Sequence, residues 1–255
     1  MAKIVAVYSM EGGVGKTTLA VNLAYCAASH SSRRTLLWDI DAQGAASFLL
    51  GQERPFSKAS RVFSREVEPA EPTRWSRLDL LAADMSLRHL EQTFSDLEKP
   101  KRLQTLAPSY DRITLDCPPG LGEVSDQLFR AVDMIVVPVP PTPLALRSLA
   151  QMQEHLASNH ARQPLLLPVI SMVDRRKTLH REFVAAHPDW PVIPMASVVE
   201  QMAVKRSPVT AFAAGSAAAS ALSGLWIRVE RRLIAMSPAK DPVAGKKPAR
   251  IRSGD

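Results

Sequence analysis

Gly12, Gly13, Val14, Gly15, Lys16, Thr17 and Thr18 follow one another between an apolar run, Ile4 to Tyr8, and a helix-favouring stretch that opens with Leu19 and Ala20. Glycines at this density let the backbone wrap closely around a polyphosphate, and consecutive N–H groups with the following helix N-terminus face its charge. A lysine at the end of such a loop reaches the β- and γ-phosphates, and the Thr17 hydroxyl is placed to ligate Mg²⁺. A mere glycine-rich turn with a surface lysine needs neither the strand before it nor the helix after it, so the flanks favour the phosphate cradle.

Two carboxylate motifs supply what a nucleotide-hydrolysing site lacks at this point. In Trp38-Asp39-Ile40-Asp41-Ala42-Gln43-Gly44, an extended backbone projects Asp39 and Asp41 to the same side, one toward a metal's water shell and the other toward an attacking water. In Ile113-Thr114-Leu115-Asp116-Cys117-Pro118-Pro119-Gly120, a strand ends in an aspartate and a rigid turn. Asp116 is expected to hold Mg²⁺ through water, and Pro118 to Gly122 to form a loop that senses the γ-phosphate. A single aspartate at a strand end is usually a turn or cap residue. Two of them beside a phosphate loop favour the catalytic reading.

These groups need a scaffold, and the rest of the chain describes one. Apolar runs recur at Ile4 to Tyr8, Thr35 to Trp38, Leu78 to Leu81, Ile113 to Leu115, Met134 to Val139 and Leu165 to Ile170. Their continuous hydrophobicity marks parallel strands covered on both faces. Helix-like stretches separate them, at Thr17 to Ala28, Ser86 to Leu97, Gly122 to Ala131, Leu144 to Ser158 and Ser216 to Met236. The alternation predicts an α/β fold, a doubly wound, mostly parallel sheet with helices on both faces, whose ligands sit beyond the carboxyl ends of the strands. The phosphate loop falls at such an end.

Bulk properties narrow the classes. The chain has 255 residues, 46% hydrophobic and 22% charged, which is ordinary for a globular protein. No segment approaches the roughly 20 apolar residues of a membrane span. Lys3 is followed at once by a strand, so no signal peptide is read and a cytoplasmic location is expected. Cys26 and Cys117 show no paired Cys-x-x-Cys spacing and are expected as buried apolar residues rather than ligands or a disulfide. His155, His160, His180 and His187 form no ligand constellation. A formal net charge of +7 favours an anionic partner, with nucleic acid the natural candidate. The polar, proline-dotted stretch from Gln52 to Arg77 reads as a peripheral excursion. Residues 1–236 read as one domain, and 237–255, with Lys240, Lys246, Lys247, Arg250 and Arg252 among prolines, as a basic disordered tail that either holds nucleic acid loosely or solubilises.

Together, Glu11 to Thr18, Asp39-Ile40-Asp41-Ala42-Gln43-Gly44 and Leu115-Asp116-Cys117-Pro118-Pro119 resemble the ParA/MinD family of ATPases with a deviant Walker A motif. The resemblance continues through Val137-Pro138-Val139, Pro143 to Leu146, Met172 to Arg176, Ile193-Pro194 and Val199 to Met202, and is closer to the ParA branch, which partitions DNA or protein cargoes over the nucleoid. It implies that ATP or ADP is bound by Lys16 and the loop from Glu11 and Gly12 to Thr18, with Mg²⁺ held by Thr17, Asp39 and Asp116. It implies that Asp41 orients the hydrolytic water and that Met172, Pro194 and Met195 lie near the adenine. It further implies an ATP-dependent homodimer, non-specific DNA binding, and a ParB-like or cargo adaptor as partner.

One residue departs from the family. Where members carry a second lysine that reaches the partner subunit's phosphates, this chain has Glu11. Two like charges 4 Å apart repel by about 4 kcal/mol at an effective dielectric near 20, so Glu11 is expected to avoid the triphosphate, and hydrolysis and dimerisation to be weak. Lys205, Arg206, Arg228, Arg231 and Arg232 are the candidate phosphate contacts for DNA, the last three on one face of the final helix. A solvated helix face is the competing reading. A non-hydrolysing, nucleotide-dependent DNA-binding switch is the second functional alternative. A MinD-like membrane-positioning ATPase is the third; it needs an amphipathic terminal helix, whereas the Leu225, Trp226, Val229 and Leu233 stripe reads as core.

Overall fold

The structure is a computed structural model and describes residues 2–52, 70–83, 103, 106–120, 123–159 and 163–236. Eight strands form one sheet: β1 (Lys3–Val7), β2 (Thr35–Asp39), β3 (Glu71–Pro72), β4 (Leu78–Leu81), β5 (Arg112–Asp116), β6 (Met134–Val139), β7 (Leu165–Val173) and β8 (Val192–Pro194). Their order is β3-β4-β2-β5-β1-β6-β7-β8, parallel throughout except for β3, which runs antiparallel to β4 at one edge. The helices are α1 (Lys16–His30), α2 (Ala45–Leu49), α3 (Glu123–Ala131), α4 (Pro143–Asn159), α5 (Thr178–Ala186), α6 (Ser197–Lys205), α7 (Val209–Phe212) and α8 (Ala217–Ala235).

Because successive side chains of a strand point to opposite faces, β1 serves two cores at once. Ile4, Ala6 and Tyr8 pack with Trp38, Leu115, Phe129 and Met152 under α3 and α4. Val5 and Val7 pack with Leu19, Leu23, Leu222 and Trp226 under α1 and α8. This two-sided burial is why the strands read as unbroken apolar runs. Leu225, Trp226, Val229 and Leu233 of α8 are buried in the second core, as expected of a packing stripe. The Ser216 hydroxyl opens that helix by accepting the Ala219 N–H at 3.1 Å.

Six predicted strands and four predicted helices are present with ends shifted by up to three residues; the helix expected over Ser86 to Leu97 lies outside the described residues, as do the tail and most of the Gln52 to Arg77 excursion. That excursion closes with β3, an edge strand of two residues. Among the described residues no helix is long and apolar enough to cross a membrane. Cys26 and Cys117 are both free and buried.

The strand order places β1 between β5 and β6: the chain runs from β1 to β2 on one side of it, stays on that side through β5, and then crosses to β6 on the other. The carboxyl end of β1 is therefore a topological switch point, where an open α/β sheet leaves a crevice.

Candidate functional site

The loop that leaves β1 at this crevice is built by its glycines. Gly13 and Gly15 take φ of +72° and +96°, a left-handed conformation that side-chain-bearing residues seldom adopt. Gly15 immediately precedes α1, so its turn aims the helix N-terminus back into the hollow. An added Cβ at Gly12, Gly13 or Gly15 meets nothing within 4 Å, which leaves an open cradle lined by backbone. Lys16, buried at the start of α1, directs its Nζ onto the Glu11 carbonyl at 2.7 Å, across the mouth of the loop. Burial pulls its pKa down, and the charges of Asp116, Asp41 and Glu11 oppose that shift. The helix behind the loop is anchored by Asn22. Its amide donates to the Thr18 carbonyl at 2.8 Å and accepts from the N–H and hydroxyl of Thr210 in α7.

Strand register brings the two motif aspartates together. Asp39 at the end of β2 stands opposite Asp116 at the end of β5, and Asp116 stands opposite Val7 at the end of β1. Both carboxylates are fully buried. Asp39 Oδ2 accepts the Ser47 N–H at 2.8 Å and the Ser47 hydroxyl at 2.7 Å, but its Oδ1 has no partner of good geometry, although the Asp41 N–H lies close enough to the carboxylate to lower its pKa. Neither oxygen of Asp116 has a partner of good geometry, although the Thr17 hydroxyl lies close enough to lower its pKa. Burial, and then the neighbouring Asp39, push the Asp116 carboxyl well above the ordinary value; burial raises Asp39 likewise, against the two Ser47 bonds.

Three unpartnered oxygens on two buried acids, beside a lysine and a threonine, are an arrangement that a divalent cation and phosphates complete. No group of three His, Cys, Asp or Glu side chains converges as a metal site among the described residues. The donor set thus fits an ion shared by the Thr17 hydroxyl, the two aspartates through water, and phosphate oxygens.

Asp41 sits differently from the extended placement expected of it. β2 ends at Asp39, and the chain turns: Asp41 Oδ1 accepts the Gln43 N–H at 2.9 Å, its carbonyl accepts the Gly44 N–H at 2.8 Å, and Gly44 takes a φ of +66°. Its charge still bears on Lys16, Asp39 and Asp116. Glu11, the departure from the family, has its carboxylate on Ser148 of α4, whose hydroxyl donates to Oε1 at 2.7 Å.

At the ends of β7 and β8 lies an open hollow of about 610 Å³ lined by Val173, Asp174, Arg176, Pro194, Met195 and Glu200, among others. Pro194 and Met195 belong to it. Met172 does not line it but stands beside it with a φ of +56°, where the register between β7 and β8 shifts. Asp174 is gripped by the Arg176 guanidinium through two bonds of 2.9 Å, which hold its carboxyl down to about 2.

The basic candidates are not all free at the surface. Arg206 takes a φ of +47° after α6 and donates to the carbonyls of Phe48 and Gln52, its guanidinium 4.9 Å from the Phe48 ring. Arg228 donates to the Asp189 carbonyl. Lys205, Arg228 and Arg231 are exposed and Arg232 is half-buried.

Ser47, Ser148 and Tyr8 carry no functional signal in the sequence, yet each holds part of the site. Ser47 clamps Asp39 and accepts the Ala83 N–H at 3.0 Å. Tyr8 donates its hydroxyl to the Gly120 carbonyl at 2.8 Å, fastening the turn after Asp116. An isolated serine in a helical pattern and a tyrosine ending an apolar run look like ordinary packing residues until the fold juxtaposes them.

Comparison with known proteins agrees with this geometry. Residues 2–165 match a family model described as an AAA domain. The chain is 34% identical over 194 residues to the sporulation initiation inhibitor protein Soj of Bacillus subtilis (strain 168), covering 70% of this chain and 76% of that protein. Among solved structures, McdA of Cyanothece in complex with ATP superposes with a TM-score of 0.75 at 20% identity, over 93% of this chain and 98% of that one. The septum site-determining protein MinD of Pyrococcus horikoshii OT3, complexed with Mg-ADP, does so with a TM-score of 0.71 at 20% identity, over 91% and 97%. The switch-point cradle, the paired acids and the Soj likeness converge: this chain belongs to the ParA/MinD family of P-loop ATPases.

Proposed function

We propose that this chain is a ParA-like ATPase that binds ATP with Mg²⁺, dimerises on the nucleotide, associates with DNA without sequence preference, and so partitions or positions a cargo through a ParB-like or cargo adaptor. The observation that carries this reading is the set of unpartnered Asp39 and Asp116 oxygens beneath a glycine-built cradle whose lysine rests on a loop carbonyl. Residues 1–236 form the ATPase domain and 237–255 a basic tail, and the protein works in the cytoplasm on the nucleoid.

In this scheme Lys16 leaves the Glu11 carbonyl for the phosphates, and the N–H groups of Gly12 to Thr18 donate to them. Thr17, Asp39 and Asp116 hold Mg²⁺, which, when bound, neutralises phosphate charge. Asp41 accepts a hydrogen bond from the water it orients, and the nucleobase lies against Pro194 and Met195 near Met172. Lys205, Arg206, Arg228, Arg231 and Arg232 supply the DNA contacts.

Glu11 provides no cation for the charge that develops during phosphoryl transfer, so turnover is slow. Removing one such stabilising donor typically costs about a hundredfold or more in rate. Glu11→Lys therefore raises ATP turnover by at least about tenfold and increases ATP-dependent dimer formation; equal values in both proteins contradict the assignment. The seating of Glu11 on Ser148 also favours a second reading, an occupancy switch that binds nucleotide and DNA without useful turnover. Steady-state hydrolysis that stays at background with DNA and adaptor present would select it.

A further inference from the structure

Glu11 engages three different groups at once. Its N–H donates to Ser9 Oγ at 3.2 Å, its carbonyl accepts Lys16 Nζ at 2.7 Å, and its carboxylate accepts the Ser148 hydroxyl at 2.7 Å. The last of these bonds lies in a narrow seam between the loop and α4, walled by Val137, Val139, Ala145, Leu149 and Met152. Both residues are half-buried there, a hydroxyl bonded to a charged carboxylate is held more strongly than one bonded to a neutral acceptor, and no other side chain donates to the Glu11 carboxylate among the described residues.

We propose that Ser148 is a positioning residue which, by holding the Glu11 carboxylate on α4, keeps a negative charge out of the phosphate cradle and so permits a polyphosphate to bind beside an acidic residue. The inference rests on the ATP reading above. Without that bond the carboxylate is free to swing about the loop mouth, where two effects oppose the nucleotide. It repels the phosphates, and it competes with them for the ammonium of Lys16, whose charged form its field already favours. Serine at 148 matters because its short hydroxyl donates to the carboxylate without adding charge of its own. The loop thus tolerates Glu11 through a residue 137 positions away in sequence.

The test is isothermal titration of the full chain with Mg-ATP and Mg-ADP, for the parent, Ser148→Ala, Ser148→Thr, Glu11→Gln, and Glu11→Gln combined with Ser148→Ala. A hydrogen bond to a charged group is worth enough to predict that Ser148→Ala raises the Kd for Mg-ATP about tenfold, and raises that for the less charged Mg-ADP less. Ser148→Thr restores parent affinity by keeping the hydroxyl. On the Glu11→Gln background, Ser148→Ala leaves the Kd unchanged, because no carboxylate remains to be held. Parent-like affinity in Ser148→Ala, or an equal loss on both backgrounds, overturns the proposal, the latter by showing that Ser148 acts through packing. If the parent itself takes up no Mg-ATP, the ATP reading fails first and the positioning role falls with it, an outcome distinct from the other two.

Discussion

Asp39 and Asp116 face one another across paired strand ends, buried and short of hydrogen-bond donors, and a protein keeps two such acids together only against a cost in stability. Their raised pKa values fix the sign of that cost. An acid whose folded pKa lies above its unfolded value contributes most to stability below the unfolded value near 4, and that contribution is lost as pH rises through the folded value. Asp116→Asn removes one member of the pair, so the nucleotide-free variant is expected to be more stable than the parent by about 1 kcal/mol at pH 8, with the advantage shrinking toward pH 4. The same substitution should abolish the dependence of nucleotide affinity on Mg²⁺. Urea unfolding across that pH range and titration with and without Mg²⁺ check the two halves; a variant less stable than the parent at pH 8 would contradict the electrostatic account.

Helix α8 closes one face of the sheet, and a single carboxylate ties its far turn to two other elements. Glu230 accepts from Arg33, which precedes β2, at 2.9 and 2.7 Å, and from Arg112 at the start of β5 at 2.7 Å through both Nε and Nη2. Removing one partner strands the others, so Glu230→Ala is expected to destabilise the fold by about 3 kcal/mol in denaturant unfolding, with Mg-ATP affinity little changed at the distant end of the strands. A loss below about 0.5 kcal/mol would show that solvent replaces the carboxylate. This brace also illustrates what the chain discloses unaided. Strands such as Met134–Val139 announce themselves because both faces are buried, and the phosphate loop and Asp116 do so because close approach to phosphate demands fixed residue types at fixed spacing. β8 is three residues long and ends in Pro194, and α7 has only four residues, too short for any periodicity to emerge. Asp41 departs from the alternation of an extended strand because β2 ends two residues before it, at a turn set by Gly44, although its charge stays beside Lys16 and Asp116. Ser47, Ser148 and Glu230 owe their roles to partners 8, 137 and 118 positions away, a relation that no local pattern carries.

At the scale of the whole molecule, a net charge of +7 and exposed Lys205, Arg228 and Arg231 suit a partner recognised through its phosphates. Reversing Arg228, Arg231 and Arg232 to glutamate is expected to weaken binding to random duplex DNA by tenfold or more at moderate salt and to flatten its salt dependence, measured by fluorescence anisotropy. Unchanged affinity would leave these arginines as a solvated helix face. The doubly wound sheet gathers residues from β1, α1, β2 and β5 at one switch point, and everything proposed for dimer, DNA and cargo depends on that point accepting nucleotide. Calorimetric titration of the parent and Lys16→Ala with ATP in the presence of Mg²⁺ tests this most directly. Saturable uptake of one nucleotide per chain by the parent, lost or weakened at least about a hundredfold in Lys16→Ala, is the predicted result; no uptake by the parent, or equal uptake by both, would contradict it.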